Sequence, residues 1–376
     1  MAGLYLHIPF CKQACHYCNF HFSTVLRSKP QLLEAMLKEL ELQRHYLGGA
    51  PLLSVYLGGG TPSLLDLSEL TVLFERIYAL FEVLPEAEIT LEANPDDLTA
   101  DKLRDLRRYT PANRLSLGIQ SFFEEDLRWM NRAHDARQAR RCVPMALETG
   151  FEHLTIDLIY GLPEAPDVRW VENLRMALSF QVPHISCYAL TVEEGTALAH
   201  FIRKGKCSPV DEARAARQFE HLMEEMERHG YEHYEISNFA RPGHRAVHNS
   251  SYWLGRPYLG IGPSAHSFDG VRRQWNVANN ARYIQGLQQG KIPFECEVLT
   301  PAQRYNEYVM TRLRTIWGCR LAEMAEIGPE YSAYFEREVR RFEIAGQVEM
   351  REGCYRLTRA GKLMADHIAS SLFWVE

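Results

Sequence analysis

The sequence has no long run of apolar residues. Nowhere in its 376 residues does a stretch approach the roughly 18 consecutive apolar residues of a membrane-spanning helix. Its first residues, Met-Ala-Gly-Leu-Tyr-Leu-His-Ile-Pro-Phe, also lack the basic start and the small-residue cleavage site of an export signal. We therefore expect a cytoplasmic protein with no transmembrane segment.

Basic runs are scarce as well. The formal net charge is −6, and the longest basic runs, such as Arg107-Arg108 and Arg340-Arg341, are only two residues wide. Proteins that bind nucleic acid usually concentrate Lys and Arg on one face, so we expect no nucleic-acid partner. The sequence shows no internal repeat of fixed period, and it leaves open whether the chain forms a homodimer.

The nine cysteines do not suggest a disulfide framework. In the reducing cytosol, thiols stay free for metal or redox chemistry. Three of the nine lie within eight residues, and the other six are scattered. The clustered three are therefore candidate metal ligands.

The first part of the chain alternates β-rich runs with helical patterns, which is typical of an α/β fold with a parallel sheet. Six apolar runs are each followed by a loop and a helical stretch: Leu4–Ile8, Leu52–Leu57, Glu88–Ala93, Arg114–Ile119, Leu154–Ile159 and Ile185–Leu190. The clearest helices are predicted over Gln31–Leu47, from Asp135 to Gly150, and from Asp211 to Gly230. Six units rather than eight predict a partial (β/α)6 barrel over residues 1–240.

Beyond about residue 240 the pattern changes. Residues 241–300 are rich in Gly, Pro, Asn and aromatic residues, which predicts a connecting loop region. Residues 301–376 predict a smaller, mainly helical domain that contains a hairpin, Val348–Met350 with Tyr355–Leu357, and then a helix capped by Thr358. This order of elements is winged-helix-like. The net negative charge of the chain favours a packing role for this domain over contact with nucleic acid.

Glycine and polar residues gather where the predicted strands end. They are Gly58-Gly59-Gly60-Thr61-Pro62, Glu92-Ala93-Asn94-Pro95, Gln120-Ser121, Asp157 and Tyr188. In a β/α barrel the carboxyl ends of the strands meet in one cleft, where active sites form. A lone carboxylate such as Glu92 in an apolar strand is costly without a partner, which indicates a binding role.

Cys11, Cys15 and Cys18 have the spacing C-x3-C-x2-C and directly follow the first predicted strand. Thiolates suit iron–sulfur clusters or zinc. Closed zinc sites and closed [4Fe-4S] sites each take four ligands, so three cysteines predict a cluster with one open iron. The alternatives are a zinc knuckle completed by His16 or His21, or three incidental buried cysteines. Neither alternative explains the polar residues at the other strand ends.

These blocks together carry a family resemblance. Besides the cysteine motif they are Tyr5-Leu-His-Ile-Pro-Phe-Cys11, Gly58-Gly-Gly-Thr-Pro62, Glu92-Ala-Asn-Pro95, Gly118-Ile-Gln-Ser121 and Ile156-Asp-Leu-Ile-Tyr-Gly-Leu-Pro163. Over essentially its whole length the chain resembles the radical S-adenosylmethionine (SAM) proteins related to oxygen-independent coproporphyrinogen III oxidase. The resemblance implies a [4Fe-4S] cluster on the three cysteines, with SAM on the open iron and cleaved to a 5′-deoxyadenosyl radical.

The resemblance also implies a set of SAM contacts. It places Tyr5 and Tyr17 beside the cluster and SAM. It places the backbone of the glycine loop at the amino-acid end of SAM. The full set is Tyr5, Tyr17, Gly59, Gly60, Thr61, Glu92, Gln120, Arg132, Asp157 and Ala189. These residue types fit SAM, because glycine permits close approach, carboxylates suit ribose hydroxyls or an ammonium, and arginine suits a carboxylate.

Within this family the sequence favours the haem-chaperone branch over the oxidase branch. The oxidase has a fourth cysteine two residues after the third, where this chain has Phe20. The oxidase also has a longer N-terminal arm, whereas only ten residues precede Cys11 in this chain. His248-Asn249-Ser-Ser-Tyr252-Trp253 matches the H-N-x-x-Y-W motif of the haem chaperones, which implies that His248 binds haem. His244 and His266 are competing candidates.

Two functions are therefore weighed. The favoured one is a haem chaperone that binds haem and SAM, carries the cluster and passes haem to an acceptor haemoprotein. The alternative is an oxygen-independent coproporphyrinogen III oxidase, and a radical SAM enzyme with another substrate is a third. The sequence assigns no catalytic residue.

Overall fold

A 12-stranded sheet forms the centre of the molecule. The structure is a computed structural model and describes residues 1–375. Six neighbouring strands run parallel in chain order: β1 (Ala2–Ile8), β2 (Leu52–Gly59), β3 (Val83–Ala93), β4 (Arg114–Gln120), β5 (His153–Tyr160) and β6 (His184–Ala189). All six predicted strands are confirmed, with ends that differ by a few residues. The parallel order brings their carboxyl ends to one edge.

One or two helices follow each of these strands. They are α1 (Lys29–Leu42), α2 (Leu67–Leu80), α3 (Ala100–Tyr109), α4 (Glu124–Trp129), α5 (Ala136–Glu148), α6 (Asp167–Ser179), α7 (Ala197–Arg203) and α8 (Glu212–Arg228). The predicted capping box of Asp135 and Gln138 opens α5, and Asp211 caps α8. Helix α1 ends at Leu42, before the predicted Leu47. Leu47 lies in the turns that follow and still packs against the core, so its position in the sequence continues the apolar spacing of the helix. Within residues 1–375 no helix is long and apolar enough to cross a membrane.

Short strands extend the sheet on both sides. Strands β7 (Glu232–Glu235) and β8 (Asn238–Ala240) lie beside β6, where β8 pairs antiparallel with it. On the other side β9 (Tyr258–Ile261) pairs in parallel with β1. Three antiparallel strands follow it: β10 (His266–Phe268), β11 (Arg272–Asn276) and β12 (Phe294–Val298).

Residues 241–300 therefore hold more regular structure than the predicted connecting loops. Besides β9 to β12 they contain α9 (Val247–Trp253) and α10 (Asn280–Gln288). Strands of three to five residues between Gly and Pro give little periodicity in the sequence. Strand β9 forms by pairing with β1, which is more than 240 residues away along the chain, and β10 to β12 then add to it one after another.

The C-terminal part has a core of its own. Its elements are α11 (Pro301–Leu313), α12 (Leu321–Ile327), α13 (Pro329–Ile344), β13 (Val348–Arg351), β14 (Cys354–Leu357), α14 (Arg359–Lys362) and α15 (Ala365–Ser371). Val309, Phe335 and Ile368 are fully buried between them. The predicted hairpin is confirmed, and Thr358 caps the short helix α14 by accepting a hydrogen bond from the Gly361 N–H.

Candidate functional site

A cavity of about 410 Å³ lies at the carboxyl ends of the parallel strands. Its lining includes all three clustered cysteines, Cys11, Cys15 and Cys18. It also includes nine of the ten predicted SAM contacts: Tyr17, Gly59, Gly60, Thr61, Glu92, Gln120, Arg132, Asp157 and Ala189. The fold thus brings together residues that are spread over six strand ends. Tyr5, the tenth residue, lies on a neighbouring cleft instead.

The three cysteines lie on the loop that follows β1, and all three thiols are free. Thr61 Oγ1 donates a hydrogen bond to Cys11 Sγ at 3.4 Å, and Arg132 Nη1 donates one to Cys15 Sγ at 3.3 Å. Burial raises the pKa of Cys11 to about 11, so metal binding there would release a proton. The donor set is soft, and hydrogen bonds to sulfur are common around iron–sulfur clusters, so these residues fit such a cluster.

The two histidines of the zinc alternative have other partners. His16 Nδ1 lies 2.8 Å from the Trp129 carbonyl oxygen, and His21 Nε2 lies 2.7 Å from Asn280 Oδ1. Neither residue lines the cysteine cavity. Within the described chain, no three His, Cys, Asp or Glu side chains surround a single ion position. Cysteines on a cubane cluster bind different irons, so they need not converge on one point.

Two partly buried carboxylates, Glu92 and Asp157, face the same cavity. Glu92 accepts hydrogen bonds from Tyr56 Oη at 2.7 Å and from the Gly59 N–H at 3.1 Å. Asp157 accepts one from Ser116 Oγ at 3.1 Å. Burial raises the pKa of Glu92 to about 7, assisted by the charge of Asp157, and raises the pKa of Asp157 to about 6. A cationic ligand would stabilise both ionised forms.

Arg132 connects the ends of β3 and β4 to the cysteine loop. Its Nη2 donates to Asn94 Oδ1 at 2.6 Å and to the Gly118 carbonyl at 2.9 Å. Its buried Nε has no hydrogen-bond partner in residues 1–375. An orphaned guanidinium N–H at a cavity indicates a site for an anionic group of a ligand. Sequence reasoning did not assign a role to Asn94, although it lies two residues after Glu92 in the same block.

The glycine loop lies too close to β1 for any side chain. Gly59 has φ +102°, and a Cβ atom there would be 2.4 Å from His7 Nδ1. A Cβ atom on Gly60 would be 2.6 Å from the Ile8 carbonyl oxygen. Gln120 at the end of β4 also has a positive φ of 63°. Such backbone strain in a non-glycine residue is typical of functional sites.

A second, larger cleft of about 940 Å³ adjoins the first. It lies between β9 to β11 on one side and α11 and α12 on the other. Its aromatic, histidine and arginine side chains are Tyr5, Phe20, Tyr252, Trp253, Tyr258, Phe268, Tyr308, His7, His21, His266, Arg256, Arg273, Arg304 and Arg312. Asn19 and Phe20 line both cavities, so the two spaces meet at the end of the cysteine loop.

Comparisons with known proteins agree with this geometry. The Radical SAM superfamily model matches residues 5–177, and the HemN C-terminal domain model matches residues 299–364. The haem chaperone HemW of Mycobacterium tuberculosis is 35% identical over 98% of this chain and 94% of its own length. HemW of Bacillus subtilis is 32% identical over 98% of both chains.

The chain belongs to the HemW family. A solved structure of coproporphyrinogen III oxidase (HemN) from Escherichia coli, a radical SAM enzyme, is also similar. It aligns with a TM-score of 0.85 over 99% of this chain and 90% of its own, at 23% identity. At that identity the likeness shows a shared fold and says nothing of a shared reaction.

The HemW motif histidine, His248, does not line either cavity. It is 1% exposed on α9, and its ring stacks on Tyr56 with centroids 4.9 Å apart. Its Nδ1 lies 2.8 Å from Ser54 Oγ, and its Nε2 lies 2.8 Å from Tyr252 Oη. Of the two competing histidines, His266 lines the larger cleft and His244 lines neither space. The structure therefore separates His248 from the cleft surface, although Tyr252 and Trp253 of the same motif reach it.

Proposed function

We propose that this protein is a haem chaperone that binds haem in the larger cleft and carries a [4Fe-4S] cluster with SAM in the smaller cavity. The observation that carries the proposal is the meeting of two differently built spaces at Asn19 and Phe20. One is small and lined by thiols, carboxylates and glycine backbone. The other is large and lined mainly by aromatic rings and arginines, with three glutamates on the α11 and α12 side.

The smaller cavity matches the chemistry of SAM and a cluster. Cys11, Cys15 and Cys18 would hold three irons and leave one open to the amino and carboxylate groups of SAM. Glu92 and Asp157 supply negative charge for a ligand that carries a sulfonium and an ammonium, and the unpaired Nε of Arg132 suits its carboxylate. When bound, the reduced cluster supplies an electron that can cleave the sulfonium.

The larger cleft matches haem in size and polarity. Tyr252, Tyr258 and Phe268 offer aromatic surface to a flat apolar macrocycle. Within the described residues, no carboxylate pairs with Arg256 or Arg304. These two guanidinium groups are available for the two propionates.

We further propose that bound haem passes to an acceptor haemoprotein. Part of the cleft rim faces solvent, because the Arg304 side chain is exposed. An acceptor could therefore reach a propionate edge without unfolding either wall.

The test uses one anaerobically reconstituted preparation for three measurements. Ferric haem should bind with a saturable Soret change, and SAM should alter the electron paramagnetic resonance spectrum of the reduced cluster. Supplied with reductant, SAM and coproporphyrinogen III, the same protein should form no protoporphyrinogen IX. Turnover of the porphyrinogen would establish the oxidase instead. Absence of haem binding would refute the chaperone proposal.

A further inference from the structure

We infer that His266, and not the motif histidine His248, presents its imidazole to the iron of bound haem, while His248 acts as a positioning residue for Tyr252. The inference rests on the proposed haem-binding function and adds the iron ligand to it. It predicts that the two histidines affect haem in different ways. Affinity and ligation can therefore be separated in the same titration.

The surroundings of His248 leave no room for a porphyrin. Both ring nitrogens already face hydroxyl groups, and Ser54 on one side is itself fully buried. Packing against the sheet is tight as well, since a Cβ atom on Gly3 would lie 3.3 Å from His248 Cε1. The helix that carries the residue is held in place by Glu88, whose carboxylate accepts the His248 N–H at 2.8 Å. Iron ligation would need both hydroxyl contacts and the helix itself to move.

His266 has the opposite surroundings. It lies on β10, is exposed, and lines the larger cleft. No residue of the described chain hydrogen-bonds either of its ring nitrogens. Its ring stacks on Trp275 of the paired strand, with centroids 6.2 Å apart and planes 28° apart, which orients the imidazole without using a nitrogen. A lone pair is thus available to a metal in the cleft.

The residues around His266 suit a porphyrin. Phe268 lies two residues further along β10 and so shares its face, and Tyr258 packs against Phe268 with centroids 6.5 Å apart. Arg273 pairs with Phe268 across the strands and is already held by Glu307 at 2.6 Å. Arg256, just before β9, lines the same cleft without a carboxylate partner in the described residues. An imidazole, aromatic surface and a cation for propionate therefore occur together on β9, β10 and the residues before β9.

The other cleft histidines are less available. His7 contacts Tyr5 Oη through Nδ1 at 3.0 Å and the His21 carbonyl through Nε2 at 2.8 Å. His21 contacts Asn280 through Nε2. Tyr252 is a weak candidate for an axial phenolate, because burial raises its pKa well above the ordinary tyrosine value.

His248 retains a defined role in this arrangement. Its Nε2 holds the hydroxyl of Tyr252, and the Tyr252 ring packs edge-on against Tyr258 with centroids 4.5 Å apart. His248 thereby fixes two aromatic rings of the cleft wall from behind. Its removal should loosen the wall and weaken haem binding without changing the ligand of the iron.

The experiment compares His266→Ala and His248→Ala in the full-length, cluster-loaded protein. Ferric haem is titrated by absorbance, and the ferrous complex is examined by resonance Raman spectroscopy for an iron–histidine stretching band. His266→Ala should lose that band and bind haem at least tenfold more weakly, and free imidazole should restore a histidine-like spectrum. His248→Ala should bind more weakly yet keep the wild-type band. His244→Ala, outside the cleft, should match the wild type.

Two results would contradict the inference, and they differ in what they imply for the proposed function. Retention of the band in His266→Ala with its loss in His248→Ala would overturn the inference and leave the chaperone proposal intact. A wild-type protein that binds no haem would overturn both. Because His266 is exposed, its truncation should not unfold the chain, and an unchanged circular dichroism spectrum checks this.

Discussion

At the scale of single residues, Glu92 and Asp157 decide how the smaller cavity responds to pH. Burial raises their pKa values to about 7 and about 6, so both are largely ionised at pH 8 and lose charge as the pH falls. A cationic ligand binds the ionised forms more tightly. We therefore expect SAM affinity to fall about tenfold between pH 8 and pH 6, because roughly one tenth of Glu92 is then ionised.

The measurement is SAM binding to cluster-loaded protein by equilibrium dialysis across this pH range. Glu92→Gln should bind weakly at pH 8 and lose most of the pH dependence. Glu125→Gln, which changes an exposed carboxylate on α4, should follow the wild-type curve. A wild-type affinity that is flat from pH 8 to pH 6 would contradict the assigned carboxylate pair.

The cysteine loop gives a second prediction at this scale. Replacing any one of Cys11, Cys15 or Cys18 with Ala should prevent stable cluster assembly, because three thiolates are the fewest that hold a cluster with one open iron. Cys296→Ala, at an exposed position on β12, is the matched control and should retain the cluster. Iron and sulfide content after anaerobic reconstitution checks the result. Tightly bound zinc in the wild type would count against the cluster.

At the scale of elements, Glu39 anchors the sheet extension to α1. This fully buried carboxylate accepts hydrogen bonds from the Gly262 N–H at 2.8 Å, from Asn276 Nδ2 at 2.7 Å and from the Tyr283 hydroxyl. These partners belong to the loop after β9, the end of β11 and α10. One side chain thus holds together the segments that carry the wall of the larger cleft.

Glu39→Ala should therefore lower the free energy of unfolding by about 3 kcal/mol, because it leaves several buried donors without an acceptor. Glu39→Gln retains the shape and one acceptor oxygen, and it should lose clearly less. Urea denaturation followed by tryptophan fluorescence measures both. Equal losses in the two variants would contradict this prediction, because Gln keeps the side-chain volume and one acceptor oxygen, and the loss would then depend on the second carboxylate oxygen.

At the scale of the whole molecule, polar contacts join the C-terminal part to the sheet and hold the cleft walls. Glu235 at the end of β7 is 2% exposed and pairs with Arg314 Nε at 3.4 Å, while the Ile316 N–H donates to the Tyr234 carbonyl at 3.0 Å. Across the larger cleft, Arg273 pairs with Glu307 at 2.6 Å. The two walls of the cleft are held relative to each other by these contacts.

Arg314→Met should leave Glu235 buried without its cation and lower the free energy of unfolding by about 3 kcal/mol. Haem affinity should also fall, because the walls are less well fixed, whereas SAM binding in the smaller cavity should not change. Arg337→Met, which removes an exposed ion pair with Glu338, is the control and should be neutral. Denaturation with haem and SAM titrations tests this, and equal losses for both ligands would contradict it.

The sequence by itself determined the features that depend on residues close together along the chain. The six parallel strands are buried on both faces, so each stands out as an apolar run, and helix caps such as Asp135 with Gln138 act within four residues. The cysteine spacing likewise lies within one loop. The parallel order then made the meeting of the strand-end residues predictable.

The tertiary structure alone decided what depends on contacts between distant segments. Strand β9 pairs with the edge that β1 offers, and β10 to β12 extend the sheet from there. The larger cleft exists because α11 and α12 pack opposite these strands. The sequence motif pointed to His248, but burial against Tyr56 and the hydroxyls of Ser54 and Tyr252 encloses that ring. His266 is exposed because it lies on the face of β10 that borders the larger cleft. Which side chain reaches a cavity is determined by packing between elements, and a motif does not encode it.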